Sequence, residues 1–187
     1  MRGPTRRVQV MRTLVVYESV FGNTHKVADA IGRGVAAADP QGELAVLPVS
    51  EATADVTAGT DLLIVGGPTH MRGLSREMTR GGAIRDARAS EHEDTLDPDA
   101  EGPGLRDWFD MLSASGHRAA AFDTRADMRL AGGAAKGIAK RLRRHGFTLI
   151  ADPEGFFIEG QDGPLRDGEL QRAESWGSAA VTGARTG

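Results

Sequence analysis

The stretch Thr13–Ile31, TLVVYESVFGNTHKVADAI, limits the possible folds more than any other part of the chain. An apolar run passes into a short loop of small and hydroxyl residues. That loop opens at once into a segment whose Val27, Ile31 and Val35 recur at helical spacing. A β-strand must therefore end almost where an α-helix begins, with Ser19, Val20, Phe21, Gly22, Asn23 and Thr24 between or at the junction. Gly22 lacks a Cβ and lets the backbone curl, and Asn23, the sole asparagine, suits a tight turn. Thr24 can cap the helix or bond an anion, and Ser19 can reach the same place from the strand end. Backbone N–H groups gathered at a helix N-terminus are the usual cradle for a phosphate. His25 and Lys26 put positive charge in the first turn, where the helix dipole disfavours it unless an anion offsets it. The competing reading is an ordinary capped strand-to-helix connection.

The rest of the chain repeats the alternation. The first helix stops at Asp39-Pro40 and Gly42, and Glu43–Val49 is a second apolar run that Pro48 assigns to a sheet edge. Asp61–Val65, DLLIV, reads as a strand buried on both faces. Leu105–Leu112 is a helix, Arg118–Phe122 a fourth strand, and the segment from about Gly133 to His145 a helix with Ile138 and Leu142 inward. Thr148–Ala151 starts a fifth strand, and Glu169–Val181 forms the last helix. Strands and helices in strict alternation predict an α/β, doubly wound, five-stranded parallel sheet covered on both faces. Ligands in such sheets sit beyond the carboxyl ends of the strands, near the switch in strand order. The stretch from Gly81 to Gly104 breaks the pattern: it is acidic, poor in large apolar groups, and predicts a solvated, mobile excursion centred on residues 89–104.

Two further loops are expected at the same edge. Gly66-Gly67-Pro68 predicts a sharp turn after the third strand, followed by Thr69, His70, Met71, Arg72 and Gly73, of which His70 and Met71 could lie against a flat ring. After the fourth strand come Asp123, Thr124 and Arg125, a polar loop with an Asp–Arg pair. Each loop has a bland alternative as a simple turn; three at one edge favour a site.

Composition removes several chemistries. With 187 residues, 40% hydrophobic and 26% charged, the chain is a single globular domain, residues 11–187, behind a flexible extension at residues 1–10. Its net charge of −3 and pI near 6.0 give no support for nucleic-acid binding. The absence of Cys excludes disulfides, thiolate metal sites and a cysteine nucleophile, so redox chemistry would need a bound cofactor. The His and carboxylate spacing predicts no metal site. No apolar run approaches the roughly 20 residues of a membrane span. The arginine-bearing N-terminus has no apolar signal region, which makes the cytoplasm the expected location.

Rival ligand signatures are missing. GxxxxGK(S/T), GxGxxG after the first strand, a GxSxG elbow and the paired acidic residues of a receiver domain do not occur where they are needed. Leu14–Ile31, with Tyr17, Ser19, Gly22, Thr24, Ala28 and Ile31 in register, instead resembles the phosphate-loop signature of the flavodoxin family. Asp61–Gly73 is similar to that family's second flavin loop, and Phe122–Arg125 falls where its third lies. The resemblance runs from Met11 through nearly the whole chain, and only the first motif is strongly specific. It implies strand order 2-1-3-4-5 and bound flavin mononucleotide (FMN). The phosphate would lie on Ser19–Thr24, and the isoalloxazine between Pro68–Gly73 and Asp123–Arg125. The tail from Gly163 to Trp176 is similar to a pattern in bacterial flavodoxin-like proteins of unassigned role.

The ring loops lack the aromatic walls common in carrier flavodoxins and carry Arg72 and Arg125, cations that would raise a flavin's potential. The first expectation is therefore an FMN redox protein that transfers electrons to a partner protein or reduces a small acceptor such as a quinone. The second is a pure one-electron carrier, and the third a cofactor-free binding or regulatory module on the same fold. His70 is the one evident proton-transfer candidate; the residues name no catalytic group, donor or oligomeric state.

Overall fold

The computed structural model describes residues 10–70, 73–74, 77–89, 96–113, 117–127, 133–160 and 163–186. The first motif folds as expected. Strand β1 (Arg12–Tyr17) is buried along Thr13–Tyr17, and helix α1 (Asn23–Ala38) follows after five intervening residues. Val27, Ile31 and Val35 face the sheet because 3.6-residue spacing aligns them on one side. Strand β2 (Glu43–Pro48) pairs parallel with β1 at the sheet edge, and a short helix α2 (Ala54–Thr57) leads to β3 (Leu62–His70). Strand β3 pairs parallel with β1 and with β5 (Arg118–Ala126). After β3 come β4 (Gly73–Leu74), α3 (Glu77–Ala89) and α4 (Leu105–Met111). After β5 come α5 (Ala134–Arg144), β6 (Thr148–Leu149), β7 (Glu154–Ile158) and α6 (Glu169–Thr186). The order β2-β1-β3-β5, with β6 and β7 both on β5, is the expected 2-1-3-4-5 arrangement. Its fifth strand is broken in two, and Pro153, which has no N–H to give a ladder, stands in the break.

The sheet has a helical layer on each face. Val15, Tyr17, Ile64, Phe122 and Phe156 point to α1 and α6, whereas Val16, Leu63, Val65 and Ala121 point to α4 and α5. Period-two alternation along strands buried on both faces produces this division. Helices α1 and α6 cross at backbone contact. A Cβ on Gly34 would stand 1.8 Å from the Glu174 carbonyl oxygen, and one on Gly177 2.3 Å from that of Ile31.

Two sequence expectations are corrected here. Gly66-Gly67-Pro68 is not a turn: β3 continues through it, pairing with Phe122, Asp123 and Thr124 of β5. The glycines answer side-chain crowding instead, since a Cβ at Gly66 would lie 2.0 Å from the Phe122 ring and one at Gly67 2.7 Å from Leu105. Asp123, Thr124 and Arg125 likewise belong to β5 rather than to a loop after it. Of the stretch expected to be a mobile excursion, residues 81–89 lie in helix α3 and residues 96–104 bond to the rest of the fold. The Asp97 N–H donates to the Val20 carbonyl at 2.8 Å, Ser50 donates to Asp99 at 3.2 Å, and Ala100 packs with Val20 and Ile84. Residues 90–95, like residues 1–9 of the expected extension, lie outside the described residues.

Candidate functional site

The loop between β1 and α1 is built from its backbone. Gly22 takes φ +77°, the left-handed region, and a Cβ placed there would meet nothing within 4 Å. Glycine is needed for its backbone sign, not for room. Its N–H donates to the Ser19 hydroxyl at 3.1 Å, which closes the turn. Val20 is buried against Ile84 and Ala100 with Phe21 alongside, so these two residues brace the loop and offer it backbone only. The Asn23 amide donates to the Gly163 carbonyl at 2.9 Å and ties the loop to the C-terminal tail. Residue Thr24 is buried, and its hydroxyl shares a 2.7 Å hydrogen bond with that of Thr124. Gly22 provides α1 with no side-chain cap. Among the described residues no side chain bonds the N–H groups of Asn23, Thr24 or His25, which a helix cannot satisfy internally.

His25 does not contribute charge to that cradle in the way its position suggested. Its ring stacks on Tyr17 at 4.6 Å, and its Nδ1 lies 3.1 Å from Asp97, with Nε2 3.8 Å from Asp29. Protein carboxylates, not a ligand, offset this first-turn residue. Burial, then Asp97 and the neighbouring Asp99, Asp29 and Glu51, raise the Tyr17 phenol far above its ordinary range and keep it neutral.

A second helix start lies on the other side of β3. Ala134 N–H donates to Thr69 Oγ1 at 2.9 Å and Ala135 N–H to Asp123 Oδ2 at 2.8 Å. Thr69 in turn donates to Asp123 at 3.1 Å. Asp123 is fully buried, and burial raises its carboxyl above the usual range against the opposing pull of the Ala135 N–H, Arg125 and Thr69. Its Oδ1 accepts no hydrogen bond from the described residues, and Arg125 Nε stands 3.6 Å away, too far for one. The Arg125 guanidinium is wedged where Cβ atoms of Gly133 and Gly155 would fall, at 2.2 Å in each case, with Phe157 beneath it at 5.6 Å. This cation faces a protein carboxylate and an aromatic ring.

The predicted residues therefore separate. Ser19–Thr24 and Thr124 come together around the α1 N-terminus. Thr69, Asp123 and Arg125 gather around α5. Pro68 stands in β3 past the last pair with β1, at a level where β3, β5 and β7 continue the sheet. The backbones of His70 and Gly73 form a tight antiparallel pair, while Met71 and Arg72 lie outside the described residues.

Sequence reasoning passed over Glu18, which is buried, accepts the Leu105 N–H at 2.8 Å and faces Arg80 at 3.8 Å. With Tyr17, Ser19, Ser50 and Asp99 they line a small polar recess beside the loop. Its one sequence signal was a charged residue directly after a buried strand. Among the described residues no group of three or more His, Asp or Glu could hold a metal ion, and no helix is long and apolar enough to cross a membrane.

Solved structures share this architecture. A flavodoxin from Archaea superposes with a TM-score of 0.63 at 19% identity, covering 94% of this chain and 99% of its own. The fold is that of the flavodoxins. Flavodoxin 1 of Bacillus cereus gives a TM-score of 0.64 at 17% identity, covering 91% of this chain and 97% of its own. A flavodiiron core from Synechocystis gives 0.61 at 18% identity; 95% of this chain matches 37% of that longer one. No protein-family model matches the sequence, and no curated protein matches it. At these identities the flavodoxin fold is shared while the side chains have diverged widely.

Proposed function

We propose that this protein binds FMN through the β1–α1 loop and works as a flavodoxin-type redox protein, passing electrons to a partner protein or a small acceptor. The observation that carries this reading is the α1 N-terminus. It lies at the switch between β2 and β3, opens through a left-handed Gly22, and presents first-turn N–H groups that no side chain among the described residues occupies. A phosphate monoester dianion suits that place because the N–H groups and the helix dipole both favour negative charge. The Ser19 and Thr24 hydroxyls add donors, and the braced Val20 and Phe21 keep the loop in shape before the ligand arrives. The shared fold with solved flavodoxins supports the same assignment.

Bound FMN would supply the electron-carrying chemistry; the chain's part is to hold the phosphate, orient the cofactor and limit water at the sheet edge. The ring belongs at the carboxyl ends of β3 and β5, around Pro68–Gly73. Asp123 and Arg125 would act behind that wall, holding α5 in place, and the Arg125 charge is already matched by Asp123. This weakens the expectation that Arg125 alone raises the flavin potential.

The test is a titration of the purified chain with FMN and riboflavin, read by flavin fluorescence and the visible spectrum. Quenching by FMN at clearly lower concentration than by riboflavin is expected. Thr24→Ala should lose most of that preference, by about tenfold for one charge-assisted hydrogen bond. Unquenched fluorescence with both flavins would refute the assignment.

A further inference from the structure

We infer that Thr124 is a positioning residue for the anion site: it donates its hydroxyl proton to Thr24 and thereby leaves the Thr24 proton aimed at the phosphate. The inference rests on the FMN reading above and moves Thr124 from the ring side, where the sequence put it, to the phosphate side. Thr124 stands in β5, opposite Pro68 of β3 and Phe156 of β7, on the sheet face shared with Ala120 and Phe122. Helix α1 covers that face, and its first turn brings the Thr24 hydroxyl to 2.7 Å from that of Thr124. Both residues are nearly sealed from solvent, at 2% and 4% exposure. Among the described residues neither hydroxyl has another partner.

Two hydroxyls in contact hold two protons, and only one lies between them. If Thr24 donated, the Thr124 proton would be left, between Pro68 and Phe156, with no acceptor among the described residues, which is unfavourable. If Thr124 donates, the second proton belongs to Thr24, on the helix turn whose N–H groups no side chain among the described residues bonds. The directional chain Thr124 O–H to Thr24 O–H to anion then strengthens its last link, because each donor polarises the next. A buried hydroxyl pair at this point has its purpose in an anion that completes it.

The experiment compares wild type, Thr124→Val, Thr124→Ser, Thr24→Ala and the Thr24→Ala/Thr124→Val double variant. Each apo-protein is titrated with FMN and with riboflavin, and circular dichroism confirms the fold. Thr124→Val should weaken FMN binding by about tenfold and riboflavin binding by less than about twofold, the effect of one charge-assisted hydrogen bond. Thr124→Ser should keep FMN affinity within about threefold of wild type, since its hydroxyl can still donate. In the double variant the FMN loss should not exceed that of Thr24→Ala, because the two residues act in series. Thr124→Val retaining the wild-type FMN preference, or weakening both flavins equally, would overturn the inference and leave the FMN reading standing. A wild type that binds FMN no better than riboflavin would overturn both.

Discussion

Helices α1 and α5 both begin at the carboxyl edge of the sheet, and they meet the positive end of the helix dipole in opposite ways. Helix α5 carries its anion with it: Asp123, fully buried in the adjoining strand, accepts the Ala135 N–H while Thr69 takes that of Ala134. Helix α1 has no such group among the described residues. Its cap is a left-handed glycine, its first-turn His25 is turned to Asp97, and its N–H groups meet no side chain among the described residues. The difference teaches where a ligand's charge belongs. A helix start filled by protein carboxylate is architecture, whereas a neighbouring start that no described side chain caps supports the proposal of an anion from outside.

Breaking the closed end should have the largest effect. Asp123→Ala removes the α5 cap, strands the Thr69 hydroxyl and leaves Arg125 without its carboxylate; unfolding in urea should show a loss of about 2–4 kcal/mol, with or without FMN. Filling the open end comes next. FMN at a hundredfold excess over its Kd should raise the unfolding free energy by about 2.7 kcal/mol, and inorganic phosphate added in competition should reduce that gain. The Gly22→Ala change forces an alanine into the left-handed region in open space and should cost about 1–2 kcal/mol of stability, with a further fall in FMN affinity. An unchanged FMN affinity in that variant would detach the loop from the cofactor.

A smaller effect, informative for its sign, concerns pH. Burial raises the Asp123 carboxyl in the folded state, so between the unfolded and folded values the folded chain holds a proton that the unfolded chain has lost. The contribution is fully present below the unfolded carboxyl range, about 4, and is lost as pH rises through the folded value. The stability of wild type relative to Asp123→Asn should therefore fall as pH rises. Glu169 behaves oppositely. Burial pushes it up, but the Arg172 hydrogen bond, the Phe157 N–H and the Arg172 and Arg166 charges together hold it below its ordinary value. Relative to Glu169→Gln, wild type should lose stability as pH falls through that lowered value. Parallel slopes for the two pairs would contradict the assigned surroundings.

Much of the fold was legible because its signals are local. Alternating strands and helices, the apolar run DLLIV and the Ser19–Thr24 junction specify a parallel sheet and the strand-to-helix turn proposed as the anion cradle, through periodicity and backbone chemistry alone. The second and third loops misled for a physical reason. Gly66 and Gly67 look like a turn, yet their role is to leave room for Phe122 and Leu105, which lie far away in sequence. Asp123 looks like a solvated loop residue, although burial against α5 makes it a helix cap. Helix α3 was hidden by Gly81 and Gly82, poor helix formers held in place by surrounding structure. The segment at residues 96–104 reads as wet surface until its bonds to Val20, His25 and Ser50 are seen.

The sequence by itself determined that a strand, a glycine turn and a helix meet at Gly22, because φ/ψ preference and hydrophobic spacing act over a few residues. Only the tertiary structure decided which of two neighbouring helix starts the described side chains cap. That choice depends on groups up to a hundred residues apart: Asp123 reaching α5, Asp97 drawing His25 aside, and Thr124 arriving beneath Thr24. Such pairings are set by strand register and helix packing, which no local pattern encodes.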